Sequence, residues 1–247
     1  MSVDPAPDVA IVIPTLNEAT TLPRLARLLA AFDPAPAEVL VVDGGSEDGT
    51  PALARSLGLA VVEHDQCGRS VQINRGVAEA KSPLICVLHA DTAPPDDMVA
   101  VIRRTLFRRD VALAGFTPLL SGPDKVRWAT SFHNWIKTWY APLLLRPHLF
   151  VRGVRLLFGD HAMFFRREQF LSVGGCDPGM TVMEEADLCV KMACFGRVRL
   201  VNRVILTSDR RVAAWGEWKA NWIYLMVGIR WAVGLRGRLG ERYPHIR

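Results

Sequence analysis

Hydrophobic and polar positions along this chain follow two rhythms. Short apolar runs with little alternation occupy 9–13, 38–42, 59–63 and 84–88, and between them apolar residues recur at three- and four-residue spacing. An unalternating run of this length suits a strand buried on both faces of a parallel sheet. The longer spacing suits an amphipathic helix. Leu25, Leu28 and Leu29 carry that spacing towards Phe32, behind Thr20 or Thr21 as a cap and Pro23 in the first turn. Thr50 can cap a helix over 51–57, and 67–81 reads as a loop followed by a helix. Strand and helix therefore alternate as βαβαβαβ, the pattern of an α/β fold with a mostly parallel central sheet flanked by helices.

The second half is less regular. Pro94 and Pro95 end the fourth strand, Asp96-Asp97 can cap a helix over 99–107, and 112–118 reads as a strand. The segment 128–145 is rich in aromatics (Trp128, Phe132, Trp135, Trp139, Tyr140) and is expected to break at Pro142. Gly159-Asp160-His161 interrupts 156–165, and a short helix over 166–173 ends at Gly174-Gly175. A helix over 184–195 opens with Glu184, Glu185 and Asp187, where the helix dipole favours acids. A strand over 198–207 and an apolar helix over 218–235 complete the chain, with no internal repeat or low-complexity segment.

Chemistry concentrates where three strands end. The first runs into Pro14-Thr15-Leu16-Asn17-Glu18, the second into Asp43-Gly44-Gly45-Ser46-Glu47-Asp48-Gly49-Thr50, the fourth into His89-Ala90-Asp91-Thr92. Parallel strands aim their carboxyl ends at the ligand crevice of an open α/β sheet. The glycine-rich turn matches neither GxxxxGK nor GxGxxG, so it offers the Asp43 carboxylate to a base or ribose rather than cradling a phosphate. Asp-Gly-Gly-Ser is equally good turn chemistry with no ligand at all.

Composition narrows the partners. Lys plus Arg number 30 against 25 Asp plus Glu, a net charge of +5, with much of the excess after residue 196. Such a tail can meet nucleic acid, anionic lipid or phosphorylated substrates, but no run interleaves basic with aromatic residues, so nucleic acid is not expected. The five cysteines have no CxxC spacing and read as buried, reduced thiols of a cytoplasmic protein. The acidic, proline-rich first eight residues do not read as a signal peptide.

Taken together, Ile-Pro-Thr-Leu-Asn-Glu, Val-Val-Asp-Gly-Gly-Ser-Glu-Asp-Gly-Thr and the apolar strand into His-Ala-Asp resemble the family 2 glycosyltransferases. The resemblance covers roughly 9–211, is sharpest over 9–92, and is closest to a bacterial branch reading Leu-His-Ala-Asp-Thr. It implies a single GT-A domain, with a nucleotide-sugar-binding half (9–110), an acceptor half (111–211) and a C-terminal helical extension (212–247). Pro14, Thr15, Asn17, Glu18 and Asp43, with Gly45 in the turn and Asp48 as a weaker member, then hold the nucleoside. The family's Asp-x-Asp, which holds ribose and a metal-bound diphosphate, reads His89-Ala90-Asp91 here, so Asp91 alone matches as metal ligand. Mg²⁺ prefers oxygen ligands and imidazole suits Mn²⁺ better, which leaves His89's part open. The family's Glu-Asp pair reads Glu184-Glu185, implying Glu185 as the base that deprotonates the acceptor and Glu184 as a positioning residue. Arg69 and Asn74 are candidates for the nucleotide-sugar, and Arg210 and Arg211 for the diphosphate or for plain surface charge. Asp160 and His161 would line the acceptor or sugar site, or form a buried hydrogen-bonded pair. Asp187 reads as a solvated or salt-bridged neighbour, and His64, His133, His148 and His245 as structural.

The implied activity is inverting transfer of a sugar from a nucleoside diphosphate donor to an acceptor hydroxyl, lipid-linked in many relatives. The other readings are a nucleotide-sugar binder without turnover, a nucleotidyltransferase (disfavoured without a glycine-rich N-terminal loop) and a membrane-surface adaptor. Residues 218–235 contain Lys219, Asn221 and Arg230, poor for a spanning helix. They suit either a peripheral contact at the inner face of the membrane or a helix packed on the domain.

Overall fold

Residues 6–64, 66–123, 125–158 and 161–234 are described by a computed structural model. Strand β1 (Val9–Thr15) lies inside the sheet, parallel to β2 (Glu38–Asp43) on one side and to β4 (Leu84–Val87) on the other. β3 (Ala60–Glu63) flanks β2 in parallel. Beyond β4 comes β6 (Phe164–Arg166), antiparallel to both β4 and β5 (Val111–Ser121). β7 (Arg197–Ser208) closes the sheet parallel to β5, so the order is β3-β2-β1-β4-β6-β5-β7. The expected mostly parallel sheet is present, with one antiparallel strand inserted.

Burial of both faces explains the unbroken apolar runs. Val9, Ile11 and Ile13 of β1 point to one core, with α1 (Leu22–Leu29), α2 (Thr50–Ser56) and α4 (Met98–Leu106). Ala10 and Val12 point to the other, with α3 (Arg69–Glu79), α5 (Trp128–Leu145), α7 (Arg167–Ser172) and α8 (Glu184–Met192). Each residue of β1 thus meets a helix layer whichever way it points, whereas the edge strand β3 leaves Ala60 and Glu63 exposed, so the run over 59–63 is not buried on both faces. Gly76 lets α3 lie flat against the sheet: a Cβ there would collide with side-chain methyls of Val12 and Val42.

Several local expectations are corrected. Pro142 does not break the aromatic segment: α5 runs through it for 18 residues, with Pro142 buried and its carbonyl accepting from Arg146 N at 2.9 Å. Packing supplies what the missing ladder bond removes; on β5, Leu120 N donates to Ser131 Oγ of α5 at 2.9 Å. Two short helices had no clear periodic signal, α6 (Pro147–Val151) and α9 (Arg210–Trp215), the latter leading into α10 (Glu217–Ala232). No capping side chain bonds at Thr21 or Asp97. The Thr21 hydroxyl donates to Glu18 Oε2 at 2.7 Å, and Asp97 accepts from Arg203 at 2.9 Å. Thr50 is the first residue inside α2 and Gly49 its cap. Cys67 and Cys194 are exposed rather than buried, while Cys86, Cys176 and Cys189 are buried. Among the described residues, no helix is long and apolar enough to cross a membrane.

Candidate active site

The chain crosses from one side of β1 to the other between β3 and β4, and such a switch point opens a crevice at the carboxyl ends of the strands. The loops after β1 and β4 flank it. Arg210, from the start of α9, closes it: Nη2 donates to Glu18 Oε1 at 3.0 Å and to Asp91 Oδ2 at 2.7 Å. A guanidinium thus bridges the two acids that the first and fourth strands deliver.

The loops after β1 and β2 are laced into one unit. Asn17 has a positive φ of 56°, and its side chain accepts from Glu47 N at 2.9 Å while its own N–H donates to Ser46 Oγ at 2.8 Å. Glu18 N donates to Thr50 Oγ1, and Ala19 N to Asp48 Oδ2, both at 2.9 Å. Asp43 is the organiser: Oδ1 accepts from Thr15 Oγ1 (3.1 Å) and Ser46 Oγ (2.6 Å), and Oδ2 from the N–H groups of Gly45 (3.1 Å) and Ser46 (2.8 Å). Gly45, at φ 88°, takes the left-handed backbone this turn requires. Thr15 and Asp43 are paired across β1 and β2, directly after Pro14.

Gln72 of α3 was not legible as part of this site. It is 4% exposed, and its Nε2 donates to the carbonyls of Thr15 (2.6 Å) and Val42 (2.8 Å), tying both strand ends to the helix. A glutamine on an amphipathic helix ordinarily reads as surface, and the hint is Gly76 one turn later on the same face.

Asp91 is half-buried beside Arg210, and among the described residues no group of three or more His, Cys, Asp or Glu could hold a metal. The carboxylates here are Asp91 and Glu18, both already facing one cationic group. That fits a hard divalent ion that takes the rest of its oxygens from substrate phosphates and water.

The two glutamates are the first and second residues of α8 and only 1% and 5% exposed. Arg69, the first residue of α3, reaches both: Nη1 donates to Glu185 Oε1 at 2.8 Å and lies 3.4 Å from Glu184 Oε1. Burial alone would raise the Glu185 carboxyl, but the Arg69 guanidinium and then His89 outweigh it and hold the group below the ordinary glutamate range. Burial and then the neighbouring Glu185 charge push Glu184 up to about 7. Neither Glu184 oxygen has a hydrogen-bond partner among the described residues. Environment has separated two adjacent carboxyls into an ionised one and one that binds its proton near neutrality.

Raising the Glu184 pKa makes it a liability as pH climbs. The favourable protonated state is fully present below the unfolded value of 4.5 and is lost as pH rises through about 7. Glu184→Gln removes that loss, so the variant gains on wild type by about 2–3 kcal/mol between pH 4.5 and 8. Urea unfolding midpoints at the two pH values check this, and equal pH slopes would refute it.

The other candidates fall as follows. Glu184, Glu185, Arg69, Arg211 and the buried His161 line one cavity of about 560 Å³. His161 Nδ1 sits 2.7 Å from Phe158 O. Asp91 and Arg210 line a second cavity of about 500 Å³, so the consecutive arginines face different spaces. Asn74 lies against the chain at Cys176 instead of standing ready for a ligand: Nδ2 donates to Cys176 O and Oδ1 accepts from Cys176 N, each at 2.8 Å. Asp187 is not solvated; it is 3% exposed and 3.5 Å from Lys191 Nζ. Asp160, and the basic positions beyond 234, lie outside the described residues. Arg127, also not foreseen, ties α5 to the starts of α9 and α10 through Asp209 (2.7 Å) and Glu217 (3.1 Å).

The family model described as Glycosyl transferase family 2 matches residues 10–173. Succinoglycan biosynthesis protein ExoA of Rhizobium meliloti (strain 1021) is 29% identical over 213 residues, 75% of this chain and 58% of that protein. The chain thus spans little more than half the length of this relative. A PGL/p-HBAD biosynthesis glycosyltransferase of Mycobacterium bovis (strain BCG / Pasteur 1173P2) is 27% identical over 205 residues, covering 80% of this chain and 73% of its own. Among solved structures, the mannosyltransferase PcManGT from Pyrobaculum calidifontis, in complex with GDP-Man and Mn²⁺, superposes with a TM-score of 0.67 at 19% identity, covering 98% of this chain and 68% of that one. Glucosyl-3-phosphoglycerate synthase from Mycobacterium tuberculosis, with Mg²⁺ and UDP, gives 0.63 at 17% identity, covering 92% and 80%. The fold is that of the GT-A glycosyltransferases.

Proposed function

This chain belongs to glycosyl transferase family 2, and on that footing we propose that it moves a sugar, with inversion, from a nucleoside diphosphate sugar to an acceptor hydroxyl. The observation that carries the reading is Glu185. It is a carboxylate kept ionised by Arg69 while almost fully buried at the edge of a cavity. Burying an ionised acid is costly beyond what a helix N-terminus returns, and active sites are where such groups concentrate.

The roles follow from position. The laced loops bearing Pro14, Thr15, Asn17, Glu18, Asp43 and Gly45 shape the nucleoside site, with Asp43 acting through the loop it organises. Asp91 would hold a divalent cation, Mn²⁺ or Mg²⁺, which supplies charge to a departing diphosphate when bound. Arg210 exchanges its carboxylate partners for diphosphate oxygens, geometry that a guanidinium matches. The acceptor O–H approaches the anomeric carbon from the face opposite the diphosphate. As the new O–C bond forms, the proton passes to Glu185, the C–O bond to the diphosphate breaks, and its electron pair leaves with the phosphate oxygen. On this reading residues 9–110 are the donor half, 111–211 the acceptor half and 212–247 a C-terminal extension, whose helix α10 would border the acceptor.

Incubation with UDP-, GDP-, ADP- and dTDP-sugars plus Mn²⁺ tests this. One donor should release its nucleoside diphosphate, at a rate reduced by chelating the metal. Binding of a donor without any turnover, with water or added alcohols, would instead mark a silent binder.

A further inference from the structure

The cavity beside Glu185 is built mostly from hydrocarbon. Its walls are α5 and α10, contributing among others Tyr140, Leu145, Val227 and Trp231, with Leu156 and Phe158 between them. The ionic groups Arg69, Glu184 and Glu185 are gathered within hydrogen-bonding or ion-pair distance of one another. At about 560 Å³ the space falls within the range of roughly 300–1,000 Å³ that encloses a drug-sized molecule.

Two independent features mark the space as kept open. Gly228 sits inside α10 and lines the cavity, and a Cβ built on it would meet nothing within 4 Å. Glycine weakens a helix interior relative to almost every other residue, so nothing in α10 itself favours it there. Glu184, 1% exposed with no hydrogen-bond partner for either oxygen among the described residues, lines the same cavity and offers hydrogen bonds to whatever enters. The wall is also anchored rather than loosely laid. His133 Nδ1 is 3.1 Å from Asn221 Oδ1, Arg127 pairs with Glu217, and the Arg146 guanidinium stands 5.5 Å from the Trp231 ring. Lys137 lies over the Phe158 ring at 4.1 Å and the Tyr224 ring at 5.4 Å, adding its stem to the lining.

We propose that the acceptor is an amphiphile, its apolar body seated between α5 and α10 and its hydroxyl between Glu184 and Glu185. The inference rests on the transferase reading above and adds the acceptor's chemical class. Glu185 takes the hydroxyl proton while Glu184 fixes the hydroxyl's direction. The apolar body excludes water from the anomeric carbon, so that the amphiphile and not solvent is glycosylated.

The probes are methyl, hexyl, octyl and decyl β-D-glucosides below their micelle concentrations, titrated into the full chain by calorimetry. Affinity should rise about three- to fourfold per methylene, the increment for burying a CH₂. Gly228→Leu, which fills open space and improves the helix, should weaken octyl glucoside binding at least tenfold and leave nucleoside diphosphate binding unchanged. Octyl glucoside should alter donor turnover with the same midpoint as its binding. Affinity that stays flat along the series overturns the proposal, whether or not the variant folds. So does a rise that Gly228→Leu does not blunt, which would mark adsorption on the exposed aromatic face of α5 at Trp128, Phe132 and Trp135, outside the cavity. Binding without any effect on turnover overturns the acceptor assignment. Failure of every nucleoside diphosphate to bind wild type, with the chain-length dependence intact, would instead sink the donor reading.

Discussion

Glu185→Gln lowers kcat by about three orders of magnitude while nucleoside diphosphate affinity stays within about threefold of wild type, because a positioned general base contributes typically 10²–10⁴-fold. The substitution keeps the shape and one acceptor oxygen, so Arg69 retains a partner at the 2.8 Å contact. What disappears is the ability to take a proton. Stopped-flow or steady-state release of the nucleoside diphosphate, alongside calorimetry, separates the two effects. Glu184→Gln should cost about tenfold or less, since its amide can still direct a hydroxyl. The opposite ranking, with Glu184→Gln inactive and Glu185→Gln nearly normal, would transfer the base role to Glu184. That residue binds its proton near pH 7 and lacks a hydrogen-bond partner among the described residues. The two carboxyls lie in one cavity beside one arginine, so their effects will not add.

Residues that point to this chemistry were legible where sequence neighbours do the work. The apolar runs of β1, β2 and β4, each burying both faces, announce the sheet, and the acids just past them land at the switch point because parallel strands end together. What was not legible depends on contacts between distant segments. β6 has three residues, too few to show a period, and is a strand because β4 and β5 pair with it from both sides. α5 passes Pro142 because its buried face packs on β5. The partner of Glu185, Arg69, is 116 residues away, and no local pattern announces that an arginine opening one helix will neutralise an acid opening another. Asp43 illustrates the opposite limit: its motif fitted both a ligand contact and turn chemistry, and of its four hydrogen bonds here three go to Gly45 and Ser46 of the turn and one to Thr15 at the end of β1. The cavity, too, is a property of how α5 and α10 meet, invisible in either helix alone.

Asp91→Ala abolishes the metal-dependent part of nucleotide binding and lowers turnover at least a thousandfold. Two losses combine. The side chain is the single carboxylate that β4 delivers to the crevice, and Glu18, the other acid on Arg210, comes from the loop after β1 and would be left as the one remaining carboxylate for an ion that draws its other ligands from phosphate and water. The second loss concerns Arg210, which keeps only Glu18 at 3.0 Å and no longer has the 2.7 Å contact that centres it over the crevice. Its aim at the diphosphate therefore loosens, and misplacement of a positioning group by an ångström can cost about a hundredfold in rate. Folding should barely change, by about 1 kcal/mol or less, because Arg210 is 38% exposed and its pairing is screened by solvent. Calorimetry of the donor's nucleoside diphosphate with and without Mn²⁺ reads the first loss, and thermal melting controls for the fold. Wild type should bind at least tenfold more tightly with the metal, and Asp91→Ala should bind equally with or without it. If Mn²⁺ still strengthens binding in the variant, the cation is held elsewhere, and Asp91 belongs to the Arg210 bridge alone. Arg210→Ala then distinguishes the two functions: it removes the guanidinium but leaves the carboxylate, so metal-dependent binding survives and turnover falls.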